Sequence, residues 1–389
     1  MRFRITGRDR RTDARTADVE LAHGHVHTPV FMPVGTNATV KAVPVEDLED
    51  MGVRIILANA YHLYLRPGTG VIGAAGGLHS FMAWKGNILT DSGGFQIFSL
   101  APFRRIESEG VFFRSHIDGS GHALTPESVV GIQLVLGSDV MMPLDVCTPY
   151  GVPREQAISA LEITTEWAVR SLAAWRSAGG GTAGGTGAGA GGTAGGALGE
   201  LFGIVQGNFY PDLRRRSAEE LCAMDFPGYA LGGLSVGEEF SAFIDMLGSS
   251  SGLLPTEKPR YLMGIGSPDF ILAAVEAGID LFDCVYPTRI ARNALAMTRL
   301  GPLNLRLAKN ERDQRPIDPE CGCSTCRRFS RSYLRHMFKC KEIMGAVLAT
   351  HHNLFFIQDL MAGIRRSIDA GRFSAFKHEF LDRYTRGEP

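Results

Sequence analysis

The sequence lacks any run of 18 or more apolar residues, so it predicts no membrane-spanning helix. Its first residues also lack the apolar core of a secretory signal, and we therefore predict a cytoplasmic protein. No Gly-x4-Gly-Lys loop is present, so nothing indicates nucleoside triphosphate binding. The seven cysteines are an odd number, and three lie within six residues. That spacing is typical of an intracellular metal site rather than of a disulfide framework.

Net charge is also nearly absent, at −1 for the whole chain, but its distribution is uneven. Residues 289–341 contain 13 Lys or Arg residues and four acidic residues. A segregated basic block favours a polyanion-binding surface, although a solvated charged face is the simpler alternative. Four arginines near helical spacing in this block are interpreted as a phosphate-contacting face: Arg327, Arg328, Arg331 and Arg335.

Short apolar runs alternate with amphipathic segments along most of the chain. Eight such runs occur, at residues 30–34, 54–58, 87–90, 140–144, 201–205, 229–231, 261–263 and 280–282. The runs are continuous rather than alternating, as expected of parallel strands buried on both faces. Eight strands that alternate with helices indicate an α/β fold, a (β/α)8 TIM barrel, and we predict a single barrel domain over residues 1–389.

Three segments depart from a bare barrel. Residues 97–124 do not have a helical pattern and indicate a β-hairpin inserted after the third strand. Residues 294–352 form a basic, zinc-binding insertion between the eighth strand and a closing helix predicted at 353–368. Residues 178–199 contain 12 Gly among Ala and Thr, and cannot bury enough apolar surface to offset their ordering entropy. We predict a disordered loop there, at the N-terminal mouth of the barrel, away from the chemistry.

Three carboxylates follow predicted strands at the end where a barrel carries its active site. Two of them, Asp91 and Asp283, suit an acid/base and nucleophile pair for cleavage at an anomeric carbon. A carboxylate stabilises the oxocarbenium-like transition state of such a reaction and can form a covalent bond with the sugar. The simpler interpretation of Asp283 is a loop cap or an ion pair with Arg289.

The other polar groups at these strand ends suit the edge of a purine-like base. Asp145, Gln206 and the Gly232-Gly233 backbone offer acceptors and donors on several sides. Phe95 offers a flat face for a base, although packing in the core explains it equally well.

The most specific motif is Cys321-Gly-Cys323-Ser-Thr-Cys326, followed by His352. Three thiolates and one imidazole make a closed tetrahedral site for one structural Zn²⁺ per chain. His351 is a competing fourth ligand. A second, weaker metal candidate is His23-Gly-His-Val-His27, because its three histidines lie on one face of a strand but have no fourth ligand nearby in the sequence.

Taken in order, these motifs resemble those of the bacterial tRNA-guanine transglycosylases, and the resemblance extends from about residue 28 to residue 384. The stretches that carry it are Thr90-Asp-Ser-Gly-Gly-Phe-Gln96, Gly203-Ile-Val-Gln-Gly207, Gly232-Gly-Leu-Ser-Val-Gly-Glu238, Tyr261-Leu-Met-Gly264, Phe282-Asp-Cys-Val-Tyr-Pro-Thr-Arg289 and the Cys/His set. The glycine tract has no counterpart in the family.

The resemblance implies a zinc-containing barrel enzyme of queuosine biosynthesis. Such an enzyme exchanges the wobble guanine of tRNAs with GUN anticodons for 7-aminomethyl-7-deazaguanine (preQ1). Asp283 would be its nucleophile and Asp91 its general acid/base. The implied base-binding residues are Asp91, Phe95, Asp145, Gln206, Gly233, Leu234 and Met263, with Glu238 supporting the Leu234 backbone.

The resemblance also implies partners. Arg289, Arg292 and the loop from Gly264 to Ser267 would contact the RNA. The Cys/His set would hold zinc, and a homodimer would form through the region of Phe329, Tyr333 and His336.

Three positions depart from the family's pattern, and three other functions are alternatives. The family's pattern leads us to expect Glu where this chain has Val146, and Gly where it has Asn208 and Ala294. These departures affect the predicted shape of the pocket for the aminomethyl group of preQ1. Cys147, by contrast, follows the bacterial pattern. A non-catalytic tRNA-binding subunit of the same fold would need neither catalytic aspartate. An archaeal-type enzyme acting elsewhere on tRNA would need a further C-terminal RNA-binding domain. A plain retaining glycosidase leaves the basic zinc segment unexplained.

Overall fold

A three-stranded antiparallel sheet precedes the barrel, made of β1 (Arg2–Arg8), β2 (Arg15–Leu21) and β3 (Gly24–Thr28) in that order. The computed structural model describes residues 1–100, 103–181 and 198–387. Val19 and Val26 of this sheet belong to the same buried apolar cluster as Val30 and Met32 of the first barrel strand. The sheet therefore packs on the end of the barrel where its strands begin.

The first barrel strands are separated by short helices. In chain order the elements are β4 (Val30–Pro33), α1 (Val45–Asp50), β5 (Ile55–Ala58), α2 (Ala60–Leu65), α3 (Thr69–Ala74), α4 (Leu78–Met82), β6 (Asn87–Thr90) and α5 (Gly94–Leu100). An antiparallel sheet follows, with β7 (Arg104–Ile106), β8 (Val111–Arg114) and β9 (Gly121–Leu124).

The inserted hairpin is present as β8 and β9, but the prediction for this region was incomplete. A third strand, β7, pairs with β8, and the helix α5 extends into the segment predicted not to be helical. Gly93, with a φ of 82°, turns the chain into α5 directly after the strand. The helix was not predictable from local sequence, because Ser92, Gly93 and Gly94 at its start are weak helix formers.

The remaining barrel elements are longer. They are α6 (Pro126–Leu136), β10 (Val140–Met141), α7 (Arg154–Ser177), β11 (Glu200–Val205), α8 (Pro211–Ala223), β12 (Gly228–Leu231), α9 (Phe240–Ser251), β13 (Arg260–Leu262), α10 (Pro268–Glu276) and β14 (Leu281–Cys284). Local sequence explains the start of α6. The Thr125 hydroxyl accepts a hydrogen bond from the Ser128 N–H, and Pro126 lies in the first turn of the helix.

The eight predicted barrel strands are all present, and they form one parallel sheet in the order β4-β14-β13-β12-β11-β10-β6-β5. A parallel bridge between Val34 and Leu57 joins its two edge strands. The sheet is therefore a nearly closed (β/α)8 barrel, as predicted. All the strand ends that carry the predicted site residues point to one mouth.

The segment after β14 is built on a long helix. Its elements are α11 (Tyr286–Arg292), the antiparallel pair β15 (Leu295–Thr298) and β16 (Gly301–Asn304), a short 3-10 helix (Ala308–Asn310), α12 (Ser324–Arg328), α13 (Arg331–Lys339), α14 (Ile343–Asp369) and α15 (Phe373–Arg386). α14 begins before the predicted start at residue 353 and includes His352. Its Ala349 packs with the cysteines, whereas Ile357 and Met361 pack in the barrel core. One helix therefore joins the Cys/His segment to the barrel.

The predicted glycine-rich loop at 178–199 lies mostly outside the described residues, which include only 178–181 and 198–199 of it. Among the helices described, none has the length and apolar character needed to span a membrane.

Candidate active site

Asp283 lies near the C-terminal end of β14 and is held by two donors on one oxygen. The Tyr261 hydroxyl donates to Oδ1 over 2.6 Å, and the Gly264 N–H donates to the same atom over 2.8 Å. Within the described part of the chain, no hydrogen bond reaches Oδ2. Burial raises the pKa of Asp283, while the Tyr261 and Gly264 hydrogen bonds lower it. The carboxylate is thus fixed in direction and keeps one oxygen free to react.

The simpler interpretation of Asp283 holds in part. Its carboxylate caps the turn after β13, because it accepts the Gly264 N–H, but among the described residues it forms no ion pair with Arg289. Arg289 is exposed in α11.

Asp91 follows β6 and is only 8% exposed. It accepts hydrogen bonds from the Asn59 amide at 2.5 Å, the Ala60 N–H at 2.9 Å and the Gln96 amide at 2.8 Å. Burial raises the pKa of Asp91 to about 6, and the charge of Asp283 also raises it, whereas the three hydrogen bonds lower it. Asp91 and Asp283 are therefore close enough to interact electrostatically. A carboxyl group with a pKa near neutrality is well matched to proton transfer.

Two further strand ends bring polar groups to the same mouth. Asp145, after β10, accepts hydrogen bonds from the Gln206 amide at 2.8 Å and the Ser92 hydroxyl at 3.3 Å. Burial raises the pKa of Asp145. Gln206, after β11, is 3% exposed. Asp145, Gln206 and Ser92 therefore form one polar group beside Asp91.

Gly233 needs to be glycine for two reasons. Its φ is 66°, in the left-handed region, and a Cβ there would lie 2.6 Å from Oε1 of Gln206. Leu234 is 3% exposed and its side chain packs in the barrel core, so only its backbone is available to a base.

Two apolar side chains stand at this mouth. Phe95 is 52% exposed, which excludes the alternative that it fills the core. Met263, directly after β13, is half-buried. They follow β6 and β13, which lie on opposite sides of the eight-stranded sheet, and these positions suit the two faces of a planar ring.

Comparison with known proteins decides the family. A family model described as "Queuine tRNA-ribosyltransferase" matches residues 9–386. The chain belongs to the queuine tRNA-ribosyltransferase family. The family and enzyme class suggested by the motifs, a tRNA-guanine transglycosylase of queuosine synthesis and hence a pentosyltransferase, are confirmed. Nothing supports a non-catalytic subunit.

Relatives with the name queuine tRNA-ribosyltransferase match along nearly the whole chain. The protein from Pelotomaculum thermopropionicum is 52% identical over 382 residues, which are 98% of each chain. That from Desulforamulus reducens is 48% identical over 387 residues, 100% of each chain. That from Desulforudis audaxviator is 51% identical over 379 residues, 97% of each chain.

In this family member Glu238 accepts from the peptide group that joins Leu234 to Ser235 and from the next one. Its carboxylate accepts from the N–H of Ser235 at 2.5 Å and from the N–H of Val236 at 2.8 Å. Ser235 has a φ of 60°, so the carboxylate stabilises a turn that a non-glycine residue adopts with difficulty.

The predicted RNA-contacting arginines differ in their accessibility. Arg289 is exposed and Arg292, in the last turn of α11, donates to the Thr288 carbonyl over 2.9 Å. Burial lowers the pKa of Arg292, and the like charge of Arg289 lowers it further. Gly264 is exposed and Ser267 is half-buried at the start of α10. These groups follow β13 and β14, beside Asp283.

The predicted phosphate-contacting face of four arginines is partly wrong. Arg327 and Arg328 are exposed. Arg331 is 2% exposed and donates to the carbonyls of Pro316 at 2.8 Å and Ile317 at 2.7 Å, so it holds the segment together. Arg335 is partly buried and forms an ion pair with Glu311 over 3.2 Å. The four arginines also lie on two helices, because α12 ends at Arg328 and α13 begins at Arg331, so helical spacing holds only for the pair Arg331 and Arg335.

The four predicted metal ligands converge. The thiol groups of Cys321, Cys323 and Cys326 lie 3.6, 3.5 and 3.2 Å from Nδ1 of His352, and the four ligand atoms lie within 4.8 Å of one another. Nε2 of His352 is 2.7 Å from the Met297 carbonyl, which leaves Nδ1 to face the thiols. This cluster could hold a metal ion.

His351, the competing fourth ligand, lies outside this cluster. Its Nε2 is 3.3 Å from the Ser324 hydroxyl. The sequence could not separate two adjacent histidines, whereas helix geometry directs them to different faces of α14.

The histidines of the N-terminal run do not converge on one another. His23 lies 2.6 Å from Asp139 and stacks on His79, which is 3.1 Å from the other oxygen of Asp139. His27 pairs with Asp18 instead. The His23 and His79 rings are 17° from parallel with centroids 3.7 Å apart, so a metal cannot lie in both ring planes. The arrangement suits two hydrogen bonds to one carboxylate.

The backbone explains why the family's pattern leads us to expect glycine at positions 208 and 294. Asn208 and Ala294 have φ values of 51° and 68°, in the region that glycine adopts most easily. Asparagine tolerates this conformation better than alanine. Val146, by contrast, is not among the residues with a positive φ, and its N–H donates to the Thr164 hydroxyl over 3.0 Å.

Sequence reasoning gave no role to three residues that complete the site. Tyr261 donates to the Asp283 carboxylate and Asn59 to the Asp91 carboxylate. Arg214 donates to the backbone of the Gly232-Gly233 turn. Tyr261 was inside a quoted motif, but a tyrosine in a strand is ordinarily a packing residue. The position of Asn59 at a strand end was a usable signal.

Proposed function

We propose that the chain exchanges guanine at the wobble position of GUN-anticodon tRNAs for preQ1 through a covalent enzyme–tRNA intermediate. The observation that carries the proposal is the pair of carboxylates at one mouth. Asp283 has one oxygen held by Tyr261 and Gly264, and Asp91 has a pKa of about 6. One group is prepared to attack and the other to transfer a proton.

The reaction proceeds in two displacements. Oδ2 of Asp283 attacks C1′ of the ribose as the C1′–N9 bond to guanine breaks, and the leaving base takes a proton from the Asp91 carboxyl. The incoming base then gives its N9 proton to the Asp91 carboxylate, and its N9 attacks C1′ and displaces Asp283. Because the ester retains the glycosidic bond energy, no nucleoside triphosphate is consumed.

Asp91 must be protonated in one half of this cycle and ionised in the other. A pKa of about 6 makes both forms accessible near neutral pH. An unperturbed aspartate would be almost fully ionised there, and would seldom supply a proton.

The base is recognised at its edges and its two faces. Asp145 accepts from the N–H groups of the pyrimidine edge, Gln206 and the backbone of Gly233 and Leu234 bind the remaining polar atoms, and Phe95 and Met263 cover the faces. We favour preQ1 over queuine because Cys147, the small side chain typical of bacterial members, is buried beside Asp145.

The Cys321, Cys323, Cys326 and His352 cluster holds one Zn²⁺ per chain. Three thiolates and an imidazole saturate a tetrahedral ion, so the metal has no position for substrate and is structural. Its role is to fix α12 against α14, next to the basic residues that follow the nucleophile.

The tRNA lies over Arg289, Arg292 and the loop from Gly264 to Ser267, beside Asp283. A tRNA substrate implies a cytoplasmic location. The chain forms a homodimer through an apolar surface made of Phe329, which precedes α13, and of residues on α13 and at the start of α14. In this surface Phe329 and Tyr333 stack 5.1 Å apart, and Ile343 and Met344 are 78% and 47% exposed. His336 is exposed on the same helix as Tyr333.

Radiolabelled guanine exchange tests the function. The protein is incubated with labelled guanine and a GUN-anticodon tRNA, with preQ1 or queuine as competitor, and with a tRNA carrying adenine at the wobble position as control. We expect label in the first tRNA alone and stronger competition by preQ1. No incorporation by the wild type would refute the exchange reaction, and stronger competition by queuine would refute the assignment of preQ1.

A further inference from the structure

Arg214 is a buried cation behind the base site, and within the described part of the chain no carboxylate is bonded to it. It lies in α8, is 0% exposed, and its hydrogen bonds to described residues all go to backbone carbonyls. Its Nη1 is buried without a hydrogen-bond partner. Burial lowers its pKa to about 10. A buried charge with incomplete pairing is costly, so stability alone does not account for it.

The carbonyls that Arg214 binds belong to the base site. Nη2 donates to the Gly232 carbonyl over 2.9 Å and to the Gly233 carbonyl over 3.3 Å, and Nε donates to the Asn208 carbonyl over 2.7 Å. The first two carbonyls share their peptide groups with the N–H of Gly233 and of Leu234. A cation on a carbonyl oxygen polarises the peptide and makes its N–H a stronger donor.

Asn208 extends this contact to the third segment of the site. It is 2% exposed, and its side-chain amide donates to the Thr148 hydroxyl at 2.9 Å and to the Pro149 carbonyl at 2.7 Å. Thr148 and Pro149 follow Asp145 in the same loop. Glycine, which the family's pattern leads us to expect here, could adopt the φ of 51° but could make none of these side-chain bonds.

We infer that Arg214 and Asn208 form a buried brace, defined by these two residues, that positions the base-binding segments 145–149, 206–208 and 232–234. Arg214 is a positioning residue: it does not touch the base, but orients and strengthens the Gly233 and Leu234 N–H donors that do. This inference rests on the proposed function. It assigns part of the recognition of the incoming base to two residues that lie outside the pocket.

Guanine exchange kinetics test the brace with both substrates varied. Arg214→Met removes the donors while keeping a similar side-chain length. Since the loss of hydrogen bonds from a charged donor costs about a factor of ten or more, we expect the KM for guanine to rise about tenfold. The KM for tRNA stays within about twofold, because no phosphate contact changes. Arg214→Lys restores part of the guanine affinity.

Arg216→Met is the matched control, since Arg216 is an exposed arginine of the same helix that pairs with Glu220. We expect it to change neither KM. If Arg214→Met does not fold, Asn208→Gly replaces it as the test variant, because glycine readily adopts the φ of 51° at this position. It should raise the guanine KM by about two- to tenfold, the range for loss of neutral hydrogen bonds.

An unchanged guanine KM in folded Arg214→Met or in Asn208→Gly would overturn the brace, as would an equal rise in both KM values. Failure of the wild type to exchange guanine would instead refute the proposed function, so the two failures are distinguishable.

Discussion

Removing one oxygen atom, in Tyr261→Phe, tests how the nucleophile is held. Tyr261 is fully buried in β13, and its ring stays packed in the variant. Only the 2.6 Å hydrogen bond to Oδ1 of Asp283 is lost, while the Gly264 N–H still donates to the same atom.

The structure sets the size of the expected effect. A hydrogen bond to a charged group contributes about 1.5–3 kcal/mol, which corresponds to a factor of about 10 to 150 in rate. Because the Tyr261 hydroxyl lowers the pKa of Asp283, its removal raises that pKa. We therefore expect slower formation of the covalent adduct and a shift of its acidic limb to higher pH.

The assay is the rate of denaturant-resistant adduct formation with excess tRNA, measured at several pH values. Tyr229→Phe is the control, since Tyr229 is a buried tyrosine of the adjacent strand β12 that does not contact Asp283. A rate within about twofold of the wild type, with no movement of the acidic limb, would contradict the account of how Asp283 is positioned.

Other predictions concern the proton, the metal and the dimer. Because the pKa of Asp91 rises from 3.8 to about 6, the free energy of unfolding decreases by about 3 kcal/mol as pH rises from about 3 to about 7. Denaturant titrations should show that part of the pH dependence missing in Asp91→Asn, and its persistence would contradict a raised pKa. Elemental analysis should show that Cys323→Ala has lost its zinc, and its C-terminal segment should no longer unfold cooperatively. The control Cys222→Ala should retain one zinc per chain. A metal-free protein that is active would refute the site. Ile343→Asp should shift sedimentation towards the monomer, and a monomeric wild type would exclude the dimer.

The barrel was predictable because its signals are local. Continuous apolar runs mark strands buried on both faces, and Pro126 after Thr125 marks a helix start. The order of the runs then places Asp91, Asp145, Gln206 and Asp283 at one mouth without any coordinates.

Contacts between distant segments were not predictable. Nothing in the run His23-Gly-His-Val-His27 shows that Asp139 and His79 lie beside His23, or that the two rings stack. The burial of Arg331 also depends on carbonyls of Pro316 and Ile317, whose direction is set by the tertiary fold. Spacing places a side chain on a helix face, but the packing of that face is a property of the whole molecule.

The orientation of functional side chains was equally hidden. That Oδ1 of Asp283 is the held oxygen follows from the positions of Tyr261 and Gly264, which no pattern specifies. The brace of Arg214 and Asn208 depends on a left-handed residue at position 208. The family's pattern leads us to expect glycine there, and the amide contacts of asparagine are visible only in three dimensions.

Trapping of the covalent intermediate tests the central claim most directly. The wild type, Asp283→Asn and Asp91→Asn are each incubated with a GUN-anticodon tRNA, separated under denaturing conditions, and any adduct is mapped by peptide mass spectrometry. We predict a wild-type adduct on Asp283 and none with Asp283→Asn, which should still bind the tRNA. An adduct of Asp283→Asn, or a wild-type adduct on another residue, would contradict the assignment of Asp283 as nucleophile.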